Sequence, residues 1–197
     1  LLSAYFIVLY TGLGIGMLLL NVSDPKNYEP FILVSVLLSL ALVPILLTKR
    51  SAPKFKKIGT ISVKELYEIS PLGTISSFCT GLIHSAFFSL MAVYSTKANF
   101  TLLETSILLF IATIAGVIFQ GPIGYFSDKL DRRKVIVGVT LLGALFSFLA
   151  IIFAGQNLAN LYLSIQLTIN KILFFILVGL YSGMMLPLFS LNLAHTN

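Results

Sequence analysis

The sequence predicts an all-α integral membrane protein, a helix bundle of about six transmembrane helices. Hydrophobic residues make up 57% of the 197 residues and charged residues only 10%, whereas soluble domains are about 25% charged. So few charged side chains cannot cover the surface of a water-soluble protein. Six long apolar stretches, with basic residues concentrated in alternate connections between them, complete the pattern.

Each apolar stretch is long enough to cross a bilayer as a helix. A hydrocarbon core of about 30 Å needs roughly 20 residues, because a helix rises about 1.5 Å per residue. A membrane barrel would instead show segments of about ten residues with alternating polarity, a pattern that this sequence lacks. The predicted helices are A (1–21), B (30–48), C (71–94), D (102–126), E (133–154) and F (171–193).

The basic residues predict how these helices are oriented. The B–C and D–E connections together hold ten of the thirteen lysines and arginines, and the three other connections hold one each. Connections rich in lysine and arginine stay on the cytoplasmic side. Helix A therefore runs outward, and the net charge of +6 is a signal of topology. No basic domain stands clear of the membrane, so a nucleic-acid partner is not expected.

The B–C connection, residues 49–70, is the longest polar segment. Ser62 and Glu65 have the spacing of a capping box, and Leu66 and Ile69 follow on one face, which predicts a short amphipathic helix on the membrane surface. Ser70 is the predicted cap of helix C, with Pro71 as the first helical residue. A long basic connection of this kind links two groups of helices.

The D–E connection carries the strongest local motif. Two glycines end helix D, an acid follows at a helix C-terminus where the dipole disfavours a negative charge, and Asp131 is placed to cap helix E. The glycines are expected to allow close helix approach, and Asp128 is expected to find a cationic partner. An ordinary positive-inside loop would need the basic residues but neither the glycine spacing nor the acid. The motif residues are Gly121, Gly124, Asp128, Lys129, Asp131, Arg132 and Arg133.

Residues 124–136 resemble the loop signature of the major facilitator superfamily, G-x-L-a-D-r-x-G-r-k-x-x-l. Phe126 stands at its leucine position and Asp131 at its second glycine. The wider pattern, from Ser70-Pro71-Leu72-Gly73 through Gly121-Pro122-Ile123-Gly124 to Arg133, is similar to the YcaD-like bacterial subgroup.

The resemblance implies a twelve-helix transporter of which helices A to F are about the fifth to the tenth. We then expect four helices before residue 1 and two after residue 197. Residues 1–48 would end the first bundle, 49–70 would be the central cytoplasmic loop, and 71–197 would begin the second bundle. The implied protein is a monomer in a bacterial inner membrane that moves a small solute by alternating access, coupled to a proton or ion gradient. Asp128 and the arginines would form a cytoplasmic latch whose partner is the start of helix A.

A polar stripe on helix C is the candidate pathway for substrate or protons. Ser77, Thr80 and His84 share one helical face, and polar groups at this depth should face protein or a water-filled cavity. Imidazole titrates near neutral pH, which suits a proton relay. A neutral histidine that only bonds a neighbouring helix is the open alternative. The resemblance adds Tyr181, because the seventh and tenth helices of the superfamily line its cavity.

Two further patterns have a packing or capping interpretation. Glu104 forms a capping box with Thr101 at the start of helix D, which explains this acid without a coupling role. The glycine runs 12–16 in helix A and 179–183 in helix F are interpreted as seams where helices pack closely.

Catalytic and cofactor motifs are not found in the sequence. It contains no His-Glu-x-x-His, no Gly-x-Ser-x-Gly, no phosphate-binding glycine loop and no paired His or Cys with metal spacing. We therefore expect no enzyme activity, cofactor or metal. Two alternatives to a transporter stay open at this point: a non-transporting membrane subunit, and a membrane-embedded enzyme that modifies lipids.

The topology predicts that residues near 54 and near 97 lie on opposite sides of the membrane. With Cys79 replaced by serine, a cysteine at position 97 should react with an impermeant thiol reagent in intact cells. A cysteine at position 54 should react only after the membrane is opened. Equal access to both positions from one side would overturn the predicted topology.

Overall fold

The computed structural model describes residues 2–48, 62–159 and 164–195, and these residues are helical throughout apart from short turns. The predicted all-α bundle is confirmed. In chain order the helices are α1 (Leu2–Leu19), α2 (Glu29–Leu47), α3 (Val63–Ile69), α4 (Pro71–Lys97), α5 (Leu102–Lys129), α6 (Arg132–Ala159) and α7 (Ser164–His195).

Five helices, α2 and α4 to α7, are long and apolar enough to cross a membrane. The sequence predicts six such helices, and the sixth is α1. It is apolar, but its 18 residues span about 27 Å at the usual rise, slightly less than the hydrocarbon thickness.

The observed helices extend beyond several predicted ends. Helices α4 and α5 continue to Lys97 and Lys129, and α7 starts at Ser164. The apolar pattern underestimates these helices because their last turns leave the lipid and carry polar residues. Lys171 consequently lies two turns inside α7, although the sequence places it in a connection.

The predicted amphipathic helix after the central connection is confirmed as α3. Ser62 Oγ accepts a hydrogen bond from the Glu65 amide at 3.2 Å, and the Glu65 carboxylate accepts one from the Ser62 amide at 2.8 Å. Pro71 begins α4 as expected, but the Ser70 side chain makes no capping bond to α4. Residues 49–61, the first part of this connection, lie outside the described residues.

Helix α7 forms the centre of the bundle and packs against α4, α5 and α6, while α1 packs along α5. Ser3 lies beside Gly124 and Gly14 beside Thr113, so α1 and α5 run antiparallel. This is the relation expected of the first and fourth of six successive crossings.

The helix pairs formed by α7 also have the relative directions expected of successive crossings. Ile111 lies beside Gly179, and Gln120 bonds Ser190, so α5 and α7 run parallel. Gly143 lies against Met185, and Ala150 packs in one cluster with Phe174 and Val178, so α6 and α7 run antiparallel. Each relation is the one that successive crossings of a single membrane require.

Glycines form the closest contacts between helices at three positions. A methyl group on Gly116 would overlap the Leu186 side chain, one on Gly183 would lie 2.6 Å from the Phe119 ring, and one on Gly14 would lie 2.7 Å from Thr113 Oγ1. The predicted seam on helix F is therefore confirmed. The predicted seam on helix A is reduced to Gly14, because Gly12 and Gly16 face open space.

Helix α2 differs from the other spans. None of its residues is buried, and its apolar side chains are exposed along its whole length, from Phe31 to Leu47. In a bilayer these side chains are solvated by lipid or covered by further protein. Helix α2 therefore takes no part in the core that α7 organises.

Candidate functional site

The polar stripe of α4 lies against α7, and we call this contact the α4–α7 seam. Its three levels each pair one residue of α4 with one of α7: Thr80 with Asn192, His84 with Met185, and Phe87 with Tyr181.

Thr80 and Asn192 form the level nearest the predicted cytoplasmic side. The Asn192 amide Nδ2 donates to Thr80 Oγ1 at 2.9 Å, and Thr80 Oγ1 donates to the Ser76 carbonyl at 2.7 Å. Both side chains are only 4% exposed. Polar side chains in an apolar environment are stable only when they are hydrogen-bonded, and this chain of bonds meets that requirement.

His84 occupies the middle level and is half-buried. Its Nε2 lies 3.1 Å from the Met185 carbonyl oxygen. A carbonyl oxygen only accepts, so this bond requires the proton on Nε2 and leaves the lone pair of the neutral ring on Nδ1. Nδ1 has no hydrogen-bond partner in the part of the chain that the structure describes.

Tyr181 occupies the outer level, where its ring centroid lies 5.5 Å from that of Phe87. Both rings line a cavity of about 330 Å³ between α4, α6 and α7, together with Ser147 and Phe174. The cavity is mostly apolar and aromatic. Ser77 is half-buried one turn before Thr80.

Sequence analysis missed a second buried polar pair, between α5 and α7. Gln120 Nε2 donates to Ser190 Oγ at 2.6 Å, and Gln120 is only 1% exposed. Its Oε1 is buried without a partner among the described residues. The signal was present in the sequence, because Gln120, Ser190 and Asn192 are polar residues inside apolar spans.

The α5–α6 turn holds the motif residues predicted to form the latch. Arg132 Nη2 lies 3.8 Å from Asp128 Oδ1, and the Asp128 side chain is 78% exposed. Asp131 Oδ1 accepts a hydrogen bond from the Arg133 amide at 3.0 Å, so its predicted capping role is confirmed. The Lys129 ammonium contacts the Tyr125 hydroxyl and lies 4.3 Å from the centre of its ring.

The two glycines of this motif have different environments. A methyl group on Gly124 would lie 3.4 Å from Ser3 Oγ, so the start of α1 approaches α5 closely here. Gly121 is exposed, and nothing described lies within 4 Å of an added methyl group. The expectation that Gly121 allows close helix approach is therefore wrong, because this residue is on the outer face of α5.

Glu104 forms the predicted capping box with Thr101 and also an ion pair that the sequence did not reveal. Lys171 Nζ lies 2.7 Å from Glu104 Oε1, and both side chains are about two-thirds buried or more. The same ammonium lies 4.8 Å from the centre of the Phe100 ring. This cluster ties the outer ends of α5 and α7 together.

The Thr80–Asn192 bond generates a prediction for stability. Thr80→Val keeps the side-chain shape but leaves the buried Asn192 amide unpaired, which should lower the free energy of unfolding by about 1–3 kcal/mol. Ser77→Ala is the matched control, since Ser77 makes no side-chain hydrogen bond to a described residue, and should change it by less than about 0.5 kcal/mol. Thermal unfolding in detergent measures both. Equal losses of unfolding free energy in the two variants would show that the Thr80–Asn192 hydrogen bond does not stabilise the protein.

Comparison with known proteins assigns the chain to a family. Over 150 residues it is 23% identical to YcaD of Escherichia fergusonii and 24% identical to YcaD of Escherichia coli, both described as MFS-type transporters; each match covers 74% of this chain and 39% of the relative. Over 95 residues it is 30% identical to the MFS-type transporter YfkF of Bacillus subtilis. This match covers 47% of this chain and 24% of YfkF.

The chain thus spans about two-fifths of the length of the YcaD relatives. No solved structure matches it. The sequence profile of the Major Facilitator Superfamily matches residues 1–196, nearly the whole chain. Together with the apolar helical bundle, this match identifies the chain as a multi-pass membrane protein that belongs to the Major Facilitator Superfamily of transporters.

Proposed function

We propose that the chain is part of a secondary active transporter that moves a small solute by alternating access, driven by a proton or ion gradient. Its setting is a bacterial inner membrane, and the full-length protein acts as a monomer. One observation carries the proton-coupling proposal: His84 is an ionisable side chain in the middle of a span, with Nδ1 open to accept a proton.

The proposal assigns α1 and α2 to one helical bundle and α4 to α7 to a second. The contact of α1 with α5 and α7 then lies between two bundles that move relative to each other. This contact consists of the approach of Gly14 to Thr113, the approach of Gly124 to Ser3, and the hydrogen bond from the Tyr10 hydroxyl to the Leu186 carbonyl at 3.1 Å. None of these three contacts is an ion pair.

The α5–α6 turn is proposed as the cytoplasmic latch between these bundles. Gly124 lies against the first turn of α1, so the turn that follows it is next to the opposite bundle. Asp128 is largely exposed and its contact with Arg132 is long, which leaves the carboxylate able to change partners. A carboxylate that changes partners between two arrangements of the bundles is what the proposed latch requires.

The α4–α7 seam is proposed as part of the pathway for solute and protons. A proton that arrives at His84 Nδ1 makes the ring cationic while the Nε2–H bond to Met185 is retained. The charge then appears between Tyr181 on one side and Thr80 and Ser77 on the other, the three other proposed pathway residues. Protonation of this kind changes the electrostatic field in the seam and can couple solute binding to the proton gradient.

Proton coupling is tested by reconstituting the full-length protein in liposomes that contain a pH-sensitive dye. A panel of small solutes is screened for dye signals that an uncoupler abolishes. His84→Gln keeps a hydrogen-bond donor for Met185 but cannot take up a proton, so coupled proton movement should be lost while downhill solute movement persists. His195→Gln is the control, because His195 is at the end of α7. Accumulation that is indifferent to every ion gradient would overturn the coupling proposal.

The latch predicts a second phenotype. Asp128→Asn should lower the transport rate by about tenfold or more, equivalent to about 1.4 kcal/mol, because the amide cannot form the charged contacts of the carboxylate. Insertion and expression should be unchanged, since Asp128 is exposed. Asp24→Asn in the α1–α2 connection is the matched control and should transport at the wild-type rate. Wild-type transport by Asp128→Asn would show that the acid is only part of a loop.

A further inference from the structure

An apolar groove lies between α5 and α6 at their predicted cytoplasmic ends, with a volume of about 330 Å³. We call it the α5–α6 groove. Its floor is formed by the buried residues Ile123, Val139 and Met184. Its rims include Phe126 of α5 and Leu142 of α6, which are about half-exposed.

The groove needs an apolar occupant in a bilayer. Water does not solvate the hydrocarbon region, and an empty groove loses the dispersion contacts of all the atoms that line it. A lipid acyl chain supplies those contacts. The lining contains almost no polar surface, which suits a hydrocarbon chain and does not suit a polar solute.

The cytoplasmic end of the groove is basic. Residues 128–134 contain four basic and two acidic side chains, a net charge of +2. Lys129 follows the rim residue Phe126 by one turn, and Lys134 precedes the lining residue Gly138 by one turn. Residues three or four apart share a helical face, so each lysine follows or precedes a groove residue on the same side of its helix.

These charges remain available for a ligand. The contacts of the two acids are with other groups: Asp128 lies 3.8 Å from Arg132, and Asp131 accepts a hydrogen bond from the Arg133 amide. Lys134 is exposed and has no ion pair within the described residues. The Lys129 ammonium lies over the Tyr125 ring and contacts its hydroxyl, and an ammonium group has further donors for a phosphate.

We propose that the α5–α6 groove binds one anionic phospholipid of the cytoplasmic leaflet. An acyl chain occupies the groove, and the headgroup phosphate contacts Lys129 and Lys134. Charge complementarity determines this choice of occupant: a zwitterionic headgroup adds an ammonium group that the net positive turn repels. A covering helix from elsewhere in a longer chain would fill the groove but would not use the basic rim. The site does not depend on the proposed transport function.

The experiment uses the full-length protein in mild detergent and native mass spectrometry. Phosphatidylglycerol and phosphatidylcholine with identical acyl chains are added, and the bound fraction of each is measured. The wild-type protein should bind one phosphatidylglycerol more tightly than phosphatidylcholine. In Lys129→Gln/Lys134→Gln, phosphatidylglycerol affinity should fall about fivefold for each lysine removed, and phosphatidylcholine binding should be unchanged. The control, Lys26→Gln/Lys97→Gln, removes two lysines at the predicted outer side.

A second variant tests the acyl-chain part of the site. Gly138 lines the groove, and a methyl group added to it meets nothing within 4 Å. Gly138→Leu therefore places a side chain in the groove from a position where the first carbon has room, and should weaken binding of phosphatidylglycerol severalfold. Gly16→Leu, at another open glycine, is the matched control and should bind like wild type.

Three results would overturn the proposal. The first is wild-type phosphatidylglycerol affinity in either the lysine or the Gly138→Leu variant. The second is an equal loss of affinity in the control variants, which would indicate unspecific binding. The third is a wild-type protein that binds neither lipid above background, as expected if another segment of the chain covers the groove.

Discussion

The burial of α7 in an apolar environment is the constraint on which the rest of the bundle depends. In lipid, polar groups must find partners inside the protein, and two inward-facing polar side chains of α7 do so across helix boundaries. Asn192 bonds Thr80 of α4, and Ser190 bonds Gln120 of α5. These bonds fix the rotation of α7 about its axis, because a turned helix would leave the same groups unpaired.

Pro187 is the second feature of α7 that determines how its neighbours pack, because it affects the backbone of the turn before it. Proline lacks an amide hydrogen and weakens the preceding turn of its helix. In that turn, the carbonyls of Met185 and Leu186 accept hydrogen bonds from His84 of α4 and Tyr10 of α1. Two neighbouring helices are therefore anchored on the turn that precedes the proline. The residue proposed for proton coupling is therefore bound to the turn of the central helix that precedes its proline.

The sequence was sufficient for the architecture and for local signals, and insufficient for contacts between distant residues. The capping boxes at Ser62 and Thr101 depend on residues three apart, so their spacing predicted the observed bonds. The Glu104–Lys171 pair joins residues 67 positions apart, and it became visible only once α7 was seen to begin before Lys171. Gly121 was misassigned for a related reason: glycine spacing does not say which helical face a neighbour covers. The pairs made by Gln120 and Asn192 could not be predicted in the same way, because their partners lie 70 and 112 positions away in the chain.

The contacts between α5 and α7 differ in kind from the contacts that hold α1, and this difference is relevant to the proposed movement of the bundles. Helices α5 and α7 are joined near one end by the Glu104–Lys171 pair at 2.7 Å and near the other by Gln120 and Ser190 at 2.6 Å. Close glycine packing lies between these two points, so α5 and α7 should move as one unit. Helix α1 is held to that unit by apolar packing, glycine contacts and the Tyr10 hydrogen bond, whose net contribution is about 0.5–1.5 kcal/mol. The exposed Asp128–Arg132 contact contributes less than about 1 kcal/mol. No charged pair joins α1 to α5 or α7 among the described residues, whereas α5 and α7 share the Glu104–Lys171 pair. In the proposed rocking movement, the interface of α1 with α5 and α7 would therefore open without breaking an ion pair.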